Sequence, residues 1–185
     1  KNIATIDKLG LEVTPIFDKN TFEYSITVDE TSLNLENIVL TDPYSTYVVN
    51  GNSNFINGEV NVVTIAVTSE DLSVTNTYKI NVTKVISTDP RLGIFEFDKY
   101  EFVPKFDKDI YTYEIFVPNS LNNALLNIKT LKNTAIIKSI MINNVEQITN
   151  VSNVFNNTVS IPDISTNPVI TIITEAEDGT EATYT

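Results

Sequence analysis

The chain has 185 residues, 42% of them hydrophobic, and carries 12 basic and 24 acidic side chains for a net charge of −12. It contains no cysteine and no histidine, which excludes disulfides, thiolate metal sites, thiol catalysis and any Ser-His triad, and removes the commonest general base. Negative charge is repelled by phosphate backbones and by acidic lipid headgroups, and no apolar run reaches the ~18 residues of a membrane span, so neither nucleic acid nor membrane insertion is expected.

The first predicted element is a short strand, Ile3–Ile6, followed by the stretch Leu11–Val28, LEVTPIFDKNTFEYSITV. Its second half alternates: Phe22, Tyr24, Ile26 and Val28 fall on one face and Glu23, Ser25 and Thr27 on the other, as in a half-buried strand. Phe17-Asp18-Lys19 and Asn20-Thr21 precede it as a tight turn, with Asp18 expected to bond its own backbone. Pro15 lacks a ladder donor and belongs on an edge strand or a bulge. Further strands are predicted at Leu35–Thr41 and Thr46–Val49, divided by Asp42-Pro43. A polar loop, Asn50–Gly58, holds the tight-turn dipeptides Asn50-Gly51 and Asn57-Gly58. Val60–Thr68 and Thr77–Thr83 close this segment. About seven short strands at 8–12-residue spacing, with no competing helical period, read as a β-sandwich.

After a short linker, Val85–Pro90, the pattern returns. Tyr100–Val117 reads YEFVPKFDKDIYTYEIFV. Glu12, Pro15, Phe17, Asp18, Lys19, Tyr24, Ile26 and Val28 recur without a gap as Glu101, Pro104, Phe106, Asp107, Lys108, Tyr113, Ile115 and Val117, and Tyr111 matches Phe22. At the same offset Leu92 and Phe95 match Ile3 and Ile6. Internal repetition decides the architecture: two domains, residues 1–85 and 86–185, each all-β. Later strands are expected at Leu125–Thr130, Ile136–Asn143, Thr158–Ile161 and Val169–Thr174. Asn144–Asn157, rich in Asn, Thr and Ser, reads as a loop longer than its counterpart. The last strand of the second domain breaks off at Tyr184-Thr185, where the first continues Tyr78-Lys79-Ile80-Asn81-Val82. An open edge of that kind invites strand pairing from another chain, although simple continuation of a longer protein is the plainer expectation.

The repeated pattern, Leu-x-Val-x-Pro-x-Phe-Asp-x-x-Thr-x-x-Tyr-x-Ile-x-Val, resembles the opening of the bacterial cadherin-like β-sandwich domain. Val48-Val49-Asn50-Gly51 is similar to that family's central turn, with Met141-Ile142-Asn143-Asn144 in its place in the second copy. Asn61–Asp71 with Thr77–Val82, and Val169–Thr174 with Glu177–Thr180 and Thr183-Tyr184, resemble its closing hairpin. The resemblance implies two tandem antiparallel Ig-like sandwiches. It further implies a non-catalytic, extracellular, secreted or wall-attached spacer or adhesion segment of a larger bacterial protein. The alternative is an accessory binding module attached to a secreted enzyme. These motifs are packing and turn motifs, so they bear on fold more than on function.

Candidates for chemistry are few. Asp18 and Asp107 recur, but one per domain and each in a turn, so a glycosidase-type carboxylate pair is not expected. Glu70-Asp71 and Glu175-Ala176-Glu177-Asp178 are the densest acidic stretches and the only ones to weigh for calcium, which needs six to eight oxygens; the calcium motifs of true cadherins are absent, and solvated turns are the expected reading. A lysine–amide isopeptide cross-link would need a buried lysine: Lys79 should face outward, and Lys138, in Ala135–Ile142, is the one candidate. Tyr24 and Tyr113 are expected to bury the ring and keep a partner for the hydroxyl. Tyr44, Tyr47 and Phe55 look less like core, which makes the Asn50–Gly58 loop the candidate binding surface. No catalytic, cofactor-binding or metal site is assigned. The expected partners are an unidentified protein or glycan ligand and other domains of the same chain. Asn81-Val82-Thr83, Asn150-Val151-Ser152 and Asn156-Asn157-Thr158 match glycosylation sequons, and the Asn- and Ile-heavy composition favours chance. The charge is spread evenly, −6 in each half, and the short linker with its one proline is expected to restrict reorientation. Because the chain starts at Lys1, it reads as a piece of a longer protein.

Overall fold

A computed structural model describes residues 1–185, which divide into two compact units, Lys1–Ile86 and Ser87–Thr185. In the first, β1 (Ile6–Lys8) pairs with β3 (Val39–Leu40), and four strands form a sheet in the order β2 (Glu23–Val28), β6 (Thr75–Lys84), β5 (Asn61–Thr68), β4 (Thr46–Asn50). The closing hairpin alternates strictly: Val63, Ile65 and Val67 of β5, and Tyr78, Ile80 and Val82 of β6, are buried, while their neighbours face outward. This period of two is why the segment is legible as strand. Ala4, Ile6, Leu9, Tyr24, Leu33, Leu35 and Phe55 complete the core.

The second unit contains β7 (Leu92–Phe97), β8 (Phe102–Val103), β9 (Glu114–Ile115), β10 (Asn123–Thr130), β11 (Ile136–Ile142), β12 (Val145–Val151), β13 (Val154–Ser160), β14 (Ile170–Glu175) and β15 (Glu181–Tyr184). One face of the sandwich is β13-β10-β7, the other β12-β11-β14-β15, with β8-β9 as a separate ribbon. The core between them is aliphatic and aromatic. Phe95 is ringed by Phe102, Phe106, Tyr113 and Tyr184 at centroid separations of 4.4–6.2 Å, within the range of favourable aromatic pairs.

Four features depart from the sequence reading. The pair β2–β6 is parallel, Glu23 opposite Lys79 through Val28 opposite Lys84, within sandwiches that are otherwise antiparallel. The expected strand Leu35–Thr41 pairs only at Val39–Leu40. The stretch Asn144–Asn157 is not a loop: it forms β12 and the start of β13, with Asn143 and Asn144 as a tight turn at φ 50° and 61°. A bulge in the β11–β12 ladder at Ile140/Met141 breaks the alternation of β12; only Ile148 and Val151, three residues apart, pack against the core while Val145 stays exposed, so no period of two marks the strand. Finally, Leu92 matches Ile6, not Ile3. The Thr41 N–H donates to Thr5 C=O and the Leu131 N–H to Arg91 C=O, which aligns Thr5 with Arg91. Domain two therefore has three more residues between this strand and the repeated turn.

Candidate functional site

The repeated stretch is the most distinctive site in each domain, and its residues converge on one turn. Asp18 Oδ1 accepts from the Asn20 N–H at 2.8 Å, and Asp107 Oδ1 accepts from the Asp109 N–H at 2.9 Å. These are Asx turns, in which the side chain supplies the acceptor a backbone turn would use. The Tyr24 hydroxyl donates to Asp18 C=O at 2.5 Å and accepts from the Asp18 N–H, and Tyr113 repeats both bonds on Asp107. A second tyrosine comes from the closing hairpin. The fully buried Tyr78 donates to Lys19 C=O at 2.6 Å and accepts from the Ile6 N–H at 3.1 Å. Tyr184 does the same with Lys108 C=O and the Leu92 N–H. One phenol thus joins the first strand, the turn and the last hairpin. Burial pushes the Tyr184 phenol up to about 12 and raises those of Tyr78 and Tyr113, because the low-dielectric interior disfavours phenolate. The carboxyl groups of Asp18 and Asp107 lie in separate domains and are each engaged with the backbone of their own turn.

The acidic stretches are likewise engaged. Asp71 Oδ1 accepts from the Ser73 hydroxyl at 2.6 Å, the Ser73 N–H and the Ser69 hydroxyl, and these bonds, led by Ser73, hold its carboxyl at about 2. Glu175 and Glu181 both accept from the Lys138 ammonium, which raises the lysine pKa and lowers that of Glu181. Lys138 is not buried as the cross-link candidate required; it is part-exposed on the sheet surface between two carboxylates. Lys79 does face outward and pairs with Glu23 at 3.1 Å. Asp178 caps its own turn through the Thr180 N–H and hydroxyl. Within either domain no three carboxylates converge in a way that could hold a metal ion. Arg91, which drew no attention in the sequence, is clamped by Asp89 at 2.7 Å and Asp109 at 2.5 Å, tying the start of domain two to the repeated turn. Asp42 is buried, with Oδ1 accepting from the Tyr44 N–H at 3.2 Å and Oδ2 3.9 Å from the Lys1 ammonium.

The candidate binding loop Asn50–Gly58 is corrected in one respect. Phe55 is 5% exposed and packs in the core of domain one, anchoring the loop from within. Its N–H donates to Thr31 C=O, and Ser53 bridges to Ser32. Tyr44 and Tyr47 do lie outside: Tyr44 is 68% exposed beside the edge strand β4, which also presents Tyr47 and Val48. A polar loop with a single buried phenylalanine gives no periodic signal, so its inward turn was not readable.

No helix is long and apolar enough to cross a membrane. No curated protein and no solved structure matches the chain. A family model does match, that of the cadherin-like beta sandwich domain, over residues 6–85 and again over 89–185. With each match spanning one sandwich and nearly the whole chain covered, this protein belongs to the cadherin-like beta sandwich domain family, as two tandem copies.

Proposed function

We propose that the chain is a non-catalytic spacer or adhesion segment of a larger bacterial surface or secreted protein. The observation that supports this reading most directly is the use made of the repeated residues. Asp18, Asp107, Tyr24, Tyr113, Tyr78 and Tyr184 are repeated groups with acid–base potential, and each is bonded to backbone of its own domain. What is repeated is what holds a sandwich together, which is the requirement on a module whose task is to keep its shape. The even negative charge suits an exposed segment that must not adhere indiscriminately.

A second reading, an accessory binding module for a glycan or protein, draws on Tyr44, Tyr47 and Val48 at the β4 edge, where exposed aromatics offer stacking area. A glycan array separates the two. The spacer reading expects no saturable signal. Saturable binding to one sugar class, lost in a Tyr44→Ala/Tyr47→Ala double variant that melts normally, would overturn it in favour of the binding module.

A further inference from the structure

Three dipeptides in the chain join Asn or Asp to glycine: Asn50-Gly51, Asn57-Gly58 and Asp178-Gly179. Such a pair has a reaction of its own. The glycine amide nitrogen, unshielded by a Cβ, can attack the side-chain carbonyl carbon of the residue before it. Ring closure needs the peptide between the two residues to rotate, so the bonds that hold the surrounding backbone decide whether it occurs.

The three pairs are held differently. At Asn50-Gly51 the backbone is fixed on both sides. Asn50 pairs with Thr64 in the β4–β5 ladder, and beyond the glycine Asn52 C=O accepts from the Leu33 N–H at 2.9 Å. Gly51 lies so close to β5 that a Cβ would stand 2.4 Å from the Val62 carbonyl oxygen. At Asp178-Gly179 both reacting groups are engaged: the carboxylate accepts from the Thr180 N–H and hydroxyl, and the Gly179 N–H donates to Ala176 C=O at 3.0 Å. Asn57-Gly58 is the exception. Both residues are exposed, and neither the Asn57 side-chain amide nor the Gly58 N–H makes a hydrogen bond within the chain. Gly58 sits at φ +77°, and a Cβ there would meet nothing within 4 Å. The residues on either side are clamped instead. Asn61 Oδ1 accepts from the Ile56 N–H at 2.9 Å, and its amide donates to Ile56 C=O at 3.0 Å and Glu59 C=O at 3.2 Å. Phe55, next to Ile56, is buried in the core. The Asn57–Gly58 peptide is thus a hinge between two fixed posts, at a loop tip, where tolerance to backbone change concentrates.

We propose that Asn57 is a site of spontaneous covalent modification, converted through a cyclic imide to aspartate and isoaspartate with water as the co-reactant. The Gly58 amide nitrogen gives its proton to solvent base and forms a bond to Asn57 Cγ. The Cγ–Nδ2 bond breaks, and that nitrogen takes up a proton and leaves as ammonia. Water then opens the ring at either carbonyl. Attack at Cγ restores the original main chain and leaves aspartate. Attack at the main-chain carbonyl leaves the chain running through the side chain, with the α-carboxylate exposed as isoaspartate. No group is oxidised or reduced. Either product adds one negative charge to the loop Asn50–Gly58, and the clamps on Ile56 and Glu59 confine the change to its tip.

The test is ageing of the 185-residue chain in warm, mildly alkaline buffer, followed by peptide mapping with fragmentation that separates aspartate from isoaspartate. Asn57 is expected to convert about tenfold or more faster than Asn50, because Asn50 must first leave its ladder. Asp178 is expected to stay unisomerised. In urea the two asparagines should convert at similar rates, because the fold and not the dipeptide sets the difference. Gly58→Ala, whose methyl group meets open space but shields the attacking nitrogen, is expected to slow conversion of Asn57 severalfold in a chain that still melts cooperatively. Melting of domain one is expected to be unchanged by the conversion, since Phe55 and Asn61 keep their places. Either of two results overturns the proposal: Asn57 intact in the folded chain while it converts in urea, or Asn50 and Asn57 converting at equal rates in the folded chain. A fall in the melting of domain one as Asn57 converts would overturn the confinement to the loop tip.

Discussion

At the scale of single residues, the phenols of Tyr78 and Tyr184 decide how each sandwich closes. Replacing either by phenylalanine keeps the packing and removes one hydroxyl, leaving the Ile6 or Leu92 N–H buried without its acceptor. An unsatisfied buried donor costs about 1–3 kcal/mol, which in a domain of this size lowers Tm by roughly 4–8 °C per kcal/mol. Differential scanning calorimetry of Tyr78→Phe and Tyr184→Phe checks this. The raised pKa of Tyr184 adds a pH dependence. A group whose folded pKa lies above its unfolded value contributes stability that is complete below the unfolded value. That contribution is therefore full below about pH 10 and is lost as pH climbs toward about 12. Alkaline unfolding curves should show wild type losing stability across that window and Tyr184→Phe losing less. At the acid end the sign reverses. Asp71, held near 2 by Ser73 and Ser69, favours the fold above the ordinary carboxylate range and loses its effect as pH falls toward 2. A carboxyl ¹³C titration should find Asp71 among the last to protonate, and Ser73→Ala should move it back up.

At the scale of elements, the turns that follow β4 and β11 are built differently. Gly51 sits at φ +75°, and a Cβ there would stand 2.4 Å from the Val62 carbonyl oxygen. Gly51→Ala is therefore expected to cost more than about 1 kcal/mol through clash and the left-handed backbone together. Domain two uses Asn143-Asn144. Asn143 Oδ1 accepts from the Val169 N–H at 2.9 Å, tying the turn to β14, whereas Asn144 makes no comparable bond. Urea unfolding should find Asn144→Gly neutral to slightly stabilising and Asn143→Gly destabilising by about 1 kcal/mol. The acidic ends of the last hairpins give a further outcome. Their carboxylates already serve the turn at Asp71 and Asp178 and the ammonium at Lys138. Millimolar calcium should leave the melting profile unchanged, and a rise in Tm with calcium would reassign these turns as metal sites.

At the scale of the whole molecule, the two cores share no residue, so two melting transitions are expected, with Tyr78→Phe moving one and Tyr184→Phe the other. The chain by itself determined the two-copy architecture and the Asx turns at Asp18 and Asp107. Both rest on local rules, a period of two along strands and short-range side-chain-to-backbone bonds, which are written in consecutive residues. Only the tertiary structure decided that β2 runs parallel to β6 and that Phe55 turns inward. It alone showed that the polar stretch Val145–Val151 is a strand, whose alternation is broken by the bulge beside Gln147. Each of these depends on which distant segments meet, and that is set by the packing of the whole sandwich rather than by the pattern of neighbouring residues.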